Sequence, residues 1–411
     1  MRQIYIATLC VALLFVVIAL NSCTTEGIDF ESGLKEFEAG NYEEAIVTFQ
    51  EIVAQGGDYT NRAKFYIGES YKFQGKFDEA MAIFQEVADS EPKMSYLGTE
   101  ARNRVSQIRE SRRDIERLRI LHSNNPGTDV AADALMELGS IYDNRLGNYD
   151  RAIEVYNQLI EEFPGSPKAA QAQVNIGNIY FYKLYDLDAG WNEFEKVNEE
   201  NYPDLKFRVS EVQDLLRETN KIRGEISEHI AFIREAQKRK VPEGRNITGY
   251  ERYGIKQEQV AQSFLAVATK WRQLKNYPKA IEAYRMLIDR VPLMLRQAAQ
   301  ARFGIAETYQ LEMGQYFEAL DAYNNYIKYH PTDFRRGEAI YNMAICYESL
   351  RQYENAYEYY KTYRDTYPDG KLYKAAELKV RQYEYDEDQD GYPYYEESTA
   401  GTSDTDPNAH P

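Results

Sequence analysis

The chain has 411 residues, of which 43% are hydrophobic and 28% are charged, so it is long enough and apolar enough to fold around a large core. Its formal net charge of −17 excludes a general nucleic-acid-binding surface, which needs basic residues against the phosphates. The same charge excludes adhesion of the whole surface to anionic lipids. Three cysteines are too few for a disulfide framework.

The chain begins with the layout of a secretion signal, in which the positive end MRQ precedes the apolar run IYIATLCVALLFVVIAL. Leu20, Asn21 and Ser22 then lead to Cys23, and this order resembles the lipobox of bacterial lipoproteins. The resemblance implies cleavage before Cys23 and acylation of that residue, and two or three acyl chains hold a protein stably at a membrane. We therefore predict a signal peptide over 1–22 and a lipidated linker over 23–27.

The alternative for this segment is an uncleaved transmembrane helix. Such a helix usually has basic residues on its cytoplasmic side, whereas the first basic residue after the apolar run is Lys35. Thr24 stands where an aspartate would indicate retention in the inner membrane of enteric bacteria. The lipobox resemblance therefore favours a location at the periplasmic face of the outer membrane.

Residues 63–92 read AKFYIGESYKFQGKFDEAMAIFQEVADSEP and resemble a tetratricopeptide repeat, a pair of antiparallel helices. Gly68 and Ala80 are small, as close crossing of the two helices requires, and Tyr71, Phe77 and Phe84 are expected to fill the space between neighbouring pairs. Pro92 lacks a backbone N–H and ends the second helix. Each pair leaves one apolar face unburied, so neighbouring pairs must stack.

The same pattern recurs along most of the chain. It is found in residues 28–57, 63–92, 132–164, 169–200, 261–292, 299–331 and 337–368, whereas 95–126 fits only in outline. The small crossing positions include Gly68, Ala80, Gly139, Ala152, Gly177, Ala280, Ala319 and Ala356. Three repeats (132–164, 169–200 and 299–331) have one extra residue between the small positions, which we expect in the turn.

These repeats predict an all-α fold, a right-handed superhelical solenoid of antiparallel helix pairs with a concave groove. The predicted segments are an N-terminal repeat array (28–203), an irregular helical insertion with a basic loop (204–258), a C-terminal repeat array (259–369), a capping helix (370–385) and an acidic disordered tail (386–411).

The insertion has an apolar stripe at helical spacing from Val209 to Ile233, and Gly224 could kink or split this helix. The sequence QKRKVPEGRNITGYERYGI follows and is predicted to be a basic loop. One interpretation is a degenerate repeat with a linker between two arrays. The other is an element that docks a partner, since a basic loop on an acidic protein is a plausible contact.

No motif for catalysis or phosphate binding is present, and the four histidines form no metal-binding pair. Cys346 lies on a repeat helix and is expected to be a packing residue. We therefore predict that the protein is not an enzyme and needs no cofactor. A periplasmic enzyme or a solute receptor is the less favoured alternative.

Calcium is the one ligand that a short motif indicates. The stretch DEDQDGYPYYEE matches D-x-D-x-D-G-x5-E, the pattern of a calcium-binding loop. The candidate ligands are Asp386, Asp388, Asp390, Tyr392 and Glu397. Pro393 departs from the usual aliphatic residue, and no second helix is expected after the loop. The alternative is an acidic tail that matches only by composition.

Tyrosine is abundant, with 36 residues. Most are expected to pack between helix pairs, but some could line a groove for an extended peptide because tyrosine gives contact area at small entropic cost. The candidates are Tyr341, Tyr357, Tyr359 and Tyr367.

The lipobox and repeats together resemble the lipoprotein subunit of the β-barrel outer-membrane protein assembly machinery. The helix starts in HSNNPGTDVAADALMELGSIY and EEFPGSPKAAQAQVNIGNIY have the Pro-x-Ser/Thr pattern that is typical of that family. The resemblance implies a scaffold that binds proteins, including a β-barrel assembly partner, and is anchored by lipid on Cys23. That family has about five repeats, fewer than this chain. The alternative is a scaffold for an envelope secretion, polysaccharide or cell-division complex.

Overall fold

The computed structural model describes residues 30–93, 95–198, 200–202, 206–238, 247–386 and 392–402. The regular structure in these residues is entirely helical. The eighteen helices described are α1 (Phe30–Glu38), α2 (Tyr42–Gln55), α3 (Thr60–Phe73), α4 (Phe77–Ser90), α5 (Tyr96–Asn124), α6 (Asp129–Ser140), α7 (Tyr149–Glu162), α8 (Pro167–Asn178), α9 (Leu187–Glu195), α10 (Lys206–Lys238), α11 (Ile247–Gln273), α12 (Tyr277–Arg290), α13 (Leu295–Glu307), α14 (Tyr316–Tyr329), α15 (Arg336–Ser349), α16 (Tyr353–Thr366), α17 (Tyr373–Tyr383) and α18 (Tyr394–Ala400).

Helices that follow each other in the chain pack against each other, and helix pairs form at all seven predicted repeats. One cluster of buried side chains runs along the stack from Ala80 to Leu350. The prediction of an all-α solenoid of tetratricopeptide repeats is therefore confirmed. In the described part of the chain, no helix is long and apolar enough to cross a membrane.

Several helix starts follow from short polar residues just before the helix. The side-chain oxygen of Ser95 accepts a hydrogen bond from the backbone N–H of Gly98 at 3.0 Å, and Ser166 accepts one from Ala169 at 3.1 Å. Pro167 then occupies the first turn of α8, where its missing N–H costs nothing. These caps explain why α5 and α8 begin where they do.

The small residues lie where the two helices of a pair cross. A Cβ on Gly68 would stand 2.7 Å from the Phe84 ring, and one on Gly33 would stand 2.6 Å from Phe49. Gly139 and Gly177 face Tyr156 and Phe194 in the same way. The alanines of the second helices are fully buried, namely Ala80, Ala152, Ala280, Ala319 and Ala356. In these four pairs, an aromatic ring of the second helix occupies the space beside the glycine of the first, so the expectation that Phe84 packs between neighbouring pairs is corrected to a contact within its own pair.

The extra residue of three repeats is absorbed at the end of the first helix. A π-helical turn follows α6, α8 and α13, over Ile141–Leu146, Ile179–Lys183 and Thr308–Met313. In a repeat without the extra residue, a backbone hydrogen bond closes the turn between residues five apart, from the Lys76 N–H to the Tyr71 C=O. In a repeat with it, the corresponding hydrogen bond joins residues six apart, from the Asn148 N–H to the Tyr142 C=O. The expectation of a longer turn is therefore corrected, because a wider helical turn holds the added residue without disturbing the crossing.

Two regions differ from the repeat pattern. Residues 96–124 form the single helix α5 and not a pair. In the insertion, α10 is continuous through Gly224, so this glycine does not split it into two elements. Helix α11 already begins at Ile247, within the expected loop, whereas 239–246 lie outside the described residues. Because buried Val212, Ile226 and Ile233 join the main core, α10 is part of the stack.

The expectation that 386–411 is disordered throughout is corrected at its centre. Helix α18 (Tyr394–Ala400) packs against α16 and α17. The rings of Tyr395 and Tyr357 stack with centroids 4.5 Å apart, and Tyr394 lies beside Tyr383. These tyrosines provide the apolar contact that orders the segment, which charge composition alone did not reveal.

Candidate functional site

The curvature of the stack brings its first helix pairs against its C-terminal array. Arg62 on α3 forms ion pairs with Glu318 at 2.9 Å and Asp321 at 3.2 Å, both on α14. Its guanidinium lies 4.4 Å from the Phe30 ring centroid and 4.7 Å from that of Phe317. Arg62 and Glu318 are buried. We call this cluster the Arg62 contact.

Several interactions support the Arg62 contact. The Tyr66 hydroxyl donates a hydrogen bond to the same Glu318 oxygen, at 3.0 Å. Burial alone would lower the pKa of the Arg62 guanidinium, but Glu318 and Asp321 raise it above its ordinary value. Arg62 therefore remains charged and joins the two ends of the stack.

A second contact lies beside the first, between α1 and α12. Arg285 forms an ion pair with Glu31 at 2.8 Å and donates a hydrogen bond to the Tyr309 hydroxyl at 3.2 Å. Glu38 belongs to the same group, where burial raises its pKa to about 7 against the opposing effects of Arg285 and Tyr309. Glu318 and Glu31 add to the rise. This carboxyl is thus poised to change charge near neutral pH.

These two contacts border a cleft between the ends of the stack. Its volume is about 900 Å³, and its walls come from α1 and α2 on one side and from α12, α13 and α14 on the other. The lining residues that remain available to a ligand include Tyr59, Arg302, Asn324, Asn325 and Tyr329. Of these, Tyr329 is 57% exposed.

The cleft offers aromatic, amide and cationic groups. The Arg302 guanidinium lies 4.5 Å from the Tyr329 ring centroid, and burial lowers its pKa below the ordinary value. Asn324 and Asn325 each carry a donor and an acceptor, the two functions that a peptide backbone needs. Tyr59 and Tyr329 supply flat contact area. The arrangement is suited to binding and contains no paired nucleophile and base among the lining residues.

Sequence reasoning missed both contacts and the cleft. Arg62, Arg285 and Glu318 belong to no motif, and each lies on a face that a single helix pair would expose to solvent. Only the curvature of the whole stack brings residues more than 250 positions apart together, as the Arg62–Glu318 hydrogen bond does with a separation of 256. No signal in one repeat could have identified them.

The four tyrosines proposed for a peptide groove lie in the packing between α15, α16 and α17. Tyr357 is buried and donates a hydrogen bond to Glu384 at 2.9 Å, so it is corrected to a packing residue. Tyr341 packs edge-on against the ring of Tyr360, and the rings of Tyr359 and Tyr347 pack at a tilt of 45°. Tyr367 accepts a hydrogen bond from Arg336 at 2.8 Å. These residues lie outside the cleft.

Six of the other predicted site residues lie outside the described residues. These are Leu20, Asn21, Ser22, Cys23, Asp388 and Asp390. Of the remaining calcium candidates, Asp386 and Tyr392 flank the undescribed 387–391, and Glu397 is buried on α18. Within the described segments, no cluster of His, Cys, Asp or Glu is arranged to hold a metal. The calcium site and lipid anchor therefore stay predictions.

Cys346 is fully buried on α15, as expected for a packing residue. Burial raises the pKa of its thiol to about 12. Because the thiolate is the reactive form, this cysteine is not activated for nucleophilic attack at neutral pH.

Comparisons with known proteins identify the repeats. The tetratricopeptide repeat model matches residues 62–93, 133–166, 300–333 and 338–370, which are four of the helix pairs described above. The chain therefore contains tetratricopeptide repeats. No curated protein matches it.

Two solved structures are among those similar to the chain. The TPR domain of P58(IPK) is 16% identical, with 86% of this chain and 88% of that chain covered and a TM-score of 0.26. The TPR2AB domain of yeast Sti1, in its pHSP90 complex, is 15% identical, with 85% and 94% covered and a TM-score of 0.25.

Proposed function

Because the chain is built from tetratricopeptide repeats, we propose that it is a non-enzymatic scaffold whose cleft binds an extended segment of a partner protein. The observation that carries this proposal is the cleft of about 900 Å³ between the ends of the stack, with exposed aromatic and amide groups on its walls. An extended segment needs hydrogen-bonding partners for its backbone and contact area for its side chains. Asn324, Asn325, Tyr59 and Tyr329 supply both.

The charges of the cleft favour a segment of mixed polarity. Arg302 forms no ion pair with a carboxylate in the described part of the chain, so it can receive an acidic group of the ligand. Asp289 and Asp321 line the same cleft and would repel a second acidic group. The preferred segment therefore has one acidic residue and apolar or aromatic neighbours, and is not a polyanion.

The anchoring part of the proposal rests on the lipobox resemblance. Acylated Cys23 would hold the scaffold at the periplasmic face of the outer membrane. By that resemblance the partner is a component of β-barrel protein assembly. The alternative partner is part of a secretion, polysaccharide or cell-division complex of the envelope.

A mild-detergent pull-down of the full-length protein tests the scaffold. Near-equal recovery of a large β-barrel protein supports the assembly role, whereas recovery of secretion or polysaccharide components supports the alternative. The double variant Asn325→Ala, Tyr329→Ala should lose the partner. Val47→Ala, at a position on α2 that is 55% exposed and outside the cleft, should keep it. A partner retained by both variants would contradict binding in the cleft.

Palmitate labelling tests the anchor separately. Label should enter the parent chain and be abolished by Cys23→Ala, while Cys10→Ala and Cys346→Ala leave it unchanged. Label that persists in Cys23→Ala would contradict acylation at that residue. The result does not depend on the cleft, so each part of the proposal can fail alone.

A further inference from the structure

The connections between helix pairs in the C-terminal array carry the most exposed apolar side chains of the described chain. Phe334 is 87% exposed, Leu293 is 81% exposed and Leu295 is 70% exposed. All three lie where one pair ends and the next begins, after α12 or after α14. Large apolar side chains exposed together usually mark an interaction surface.

These connections lie together at one end of the helices. In a stack, every connection from the second helix of a pair to the next pair falls on the same edge. Within each pair, side-chain contacts hold the connection against the first helix, since Arg302 contacts His330 at 3.1 Å and Arg336 donates to the Tyr367 hydroxyl at 2.8 Å. Between neighbouring pairs, Arg335 forms an ion pair with Glu307 of α13 at 3.2 Å. We call the three connections with their flanking residues, 288–297, 327–337 and 366–374, the basic edge.

The charge of the basic edge is opposite to that of the protein. Its three segments contain seven Lys and Arg residues against three Asp, whereas the chain as a whole has a net charge of −17. Among the acids, Asp333 is held by hydrogen bonds from the Tyr326 hydroxyl and the Arg335 backbone. Arg296 and Lys328 are exposed and form no ion pair within the described residues. Their charges are therefore available to a partner.

The corresponding connections of the N-terminal array lack this character. Segments 54–60, 89–97, 123–130 and 161–168 contain six acidic residues and two lysines. Their exposed large apolar side chains in the described part are Tyr59 and Val130, at 40% and 44%. The combination of positive charge and projecting apolar side chains is thus absent from these four N-terminal connections and is not a general property of repeat connections.

We propose that the basic edge docks on the surface of an anionic lipid bilayer. Phe334, Leu293 and Leu295 would enter the interface between headgroups and acyl chains, while Arg296 and Lys328 meet the lipid phosphates. A bilayer fits better than a protein pocket because the apolar side chains are almost fully exposed and are bordered by cations. The edge adjoins the cleft and shares Ile288, Asp289 and Tyr329 with it, but the side chains assigned to the bilayer do not line the cleft. The contact does not require acylation at Cys23.

The test places a reporter at the edge of the full-length protein. Phe334→Trp is reconstituted into vesicles of phosphatidylglycerol and phosphatidylethanolamine with brominated acyl chains, and the emission of the parent chain is subtracted. We expect emission at 334 to shift to shorter wavelength and to be quenched. Val130→Trp, on an N-terminal connection, should be neither shifted nor quenched. Leu295→Trp is the second reporter and should behave as Phe334→Trp does.

Charge reversal tests the lipid chemistry. Adding Arg296→Glu and Lys328→Glu to Phe334→Trp should reduce the quenching several-fold, and omitting phosphatidylglycerol should have the same effect. Unquenched emission at both 334 and 295 would overturn the proposal, as would quenching that ignores both changes of charge. If vesicles leave the reporters unchanged while edge variants lose a protein from the pull-down, the edge binds a protein and the proposal is wrong.

Discussion

At the scale of single residues, the helix pairs depend on the match between a glycine and a ring. Because Gly68 has no side chain, the Phe84 ring can occupy the space between α3 and α4, where it is fully buried. The same exchange occurs between Gly177 and Phe194. The small positions could be predicted from the sequence because they recur in each repeat. The partner of Gly68 could not, because an aromatic residue at that spacing fits equally well between neighbouring pairs.

Gly68→Ala tests this exchange. The new Cβ would stand 2.7 Å from the Phe84 ring, so the pair must separate, and the free energy of unfolding should fall by about 1–3 kcal/mol. Gly224→Ala is the matched control because nothing lies within 4 Å of its Cβ, and it should be neutral or stabilise α10 by up to about 1 kcal/mol. Urea unfolding measures the stability of both variants. Equal changes in stability would show that the close helix crossing at Gly68 is not what requires a glycine there.

Glu38 predicts how stability depends on pH. Since burial raises its pKa to about 7, the folded protein holds this proton more tightly than the unfolded chain. The stabilisation is complete at low pH, falls as pH rises from about 4.5, and is lost above about 7. Glu38→Gln should remove this component, so the stability difference between variant and parent changes across that window. Thermal unfolding at several pH values measures it, and a constant difference would contradict the assignment.

At the scale of elements, the π-helical turns explain how repeats of unequal length share one stack. The added residue in the repeats of α6, α8 and α13 widens the last turn of the first helix, and the second helix starts in its normal place. The sequence shows the extra residue but not its location, because a longer turn and a wider helix satisfy the same spacing.

Deleting Lys183 tests the π-helical turn after α8. Lys183 is exposed, and its removal gives the spacing of the second repeat, so stability should change by less than about 1 kcal/mol. Deleting Gln74 shortens a turn that has no extra residue and should destabilise the protein clearly more. Urea unfolding and circular dichroism provide the comparison. If the Lys183 deletion is as damaging as the Gln74 deletion, the π-helical turn is not a simple insertion.

Elements outside the repeat pattern were harder to predict. The apolar stripe of α10 indicated a helix but not its inclusion in the main core, which depends on its packing against α11. The acidic composition around α18 concealed Tyr394 and Tyr395, which pack on tyrosines of other helices. In both cases the deciding contacts come from elsewhere in the chain.

At the scale of the whole molecule, the Arg62 contact closes the stack on itself and forms one border of the cleft. Repeat patterns establish which helices pair, but superhelical curvature is the sum of small rotations at every level. The single helix α5 and the long helix α10 interrupt the regular series. The position of one end relative to the other, and hence the cleft, could not be predicted from the repeats.

Arg62→Ala tests this closure. It leaves Glu318 buried without its cation, and loss of one partner from a buried ion pair typically costs about 3–5 kcal/mol. We expect the N-terminal pairs to separate from α14 and the radius of gyration from small-angle X-ray scattering to increase. Arg112→Ala removes an exposed pair with Asp78 and should cost at most about 1 kcal/mol without a change of size. If Arg62→Ala and Arg112→Ala have the same stability and radius of gyration, Arg62 does not hold the two ends of the stack together.

Cross-linking in cells shows whether the cleft holds a partner protein. A photoreactive amino acid in place of Tyr329 samples the cleft, and the same group in place of Val47 samples a surface of similar exposure outside it. If the cleft binds a partner, position 329 gives a discrete cross-linked protein and position 47 gives none. No adduct at 329, or the same adducts from both positions, would contradict this binding.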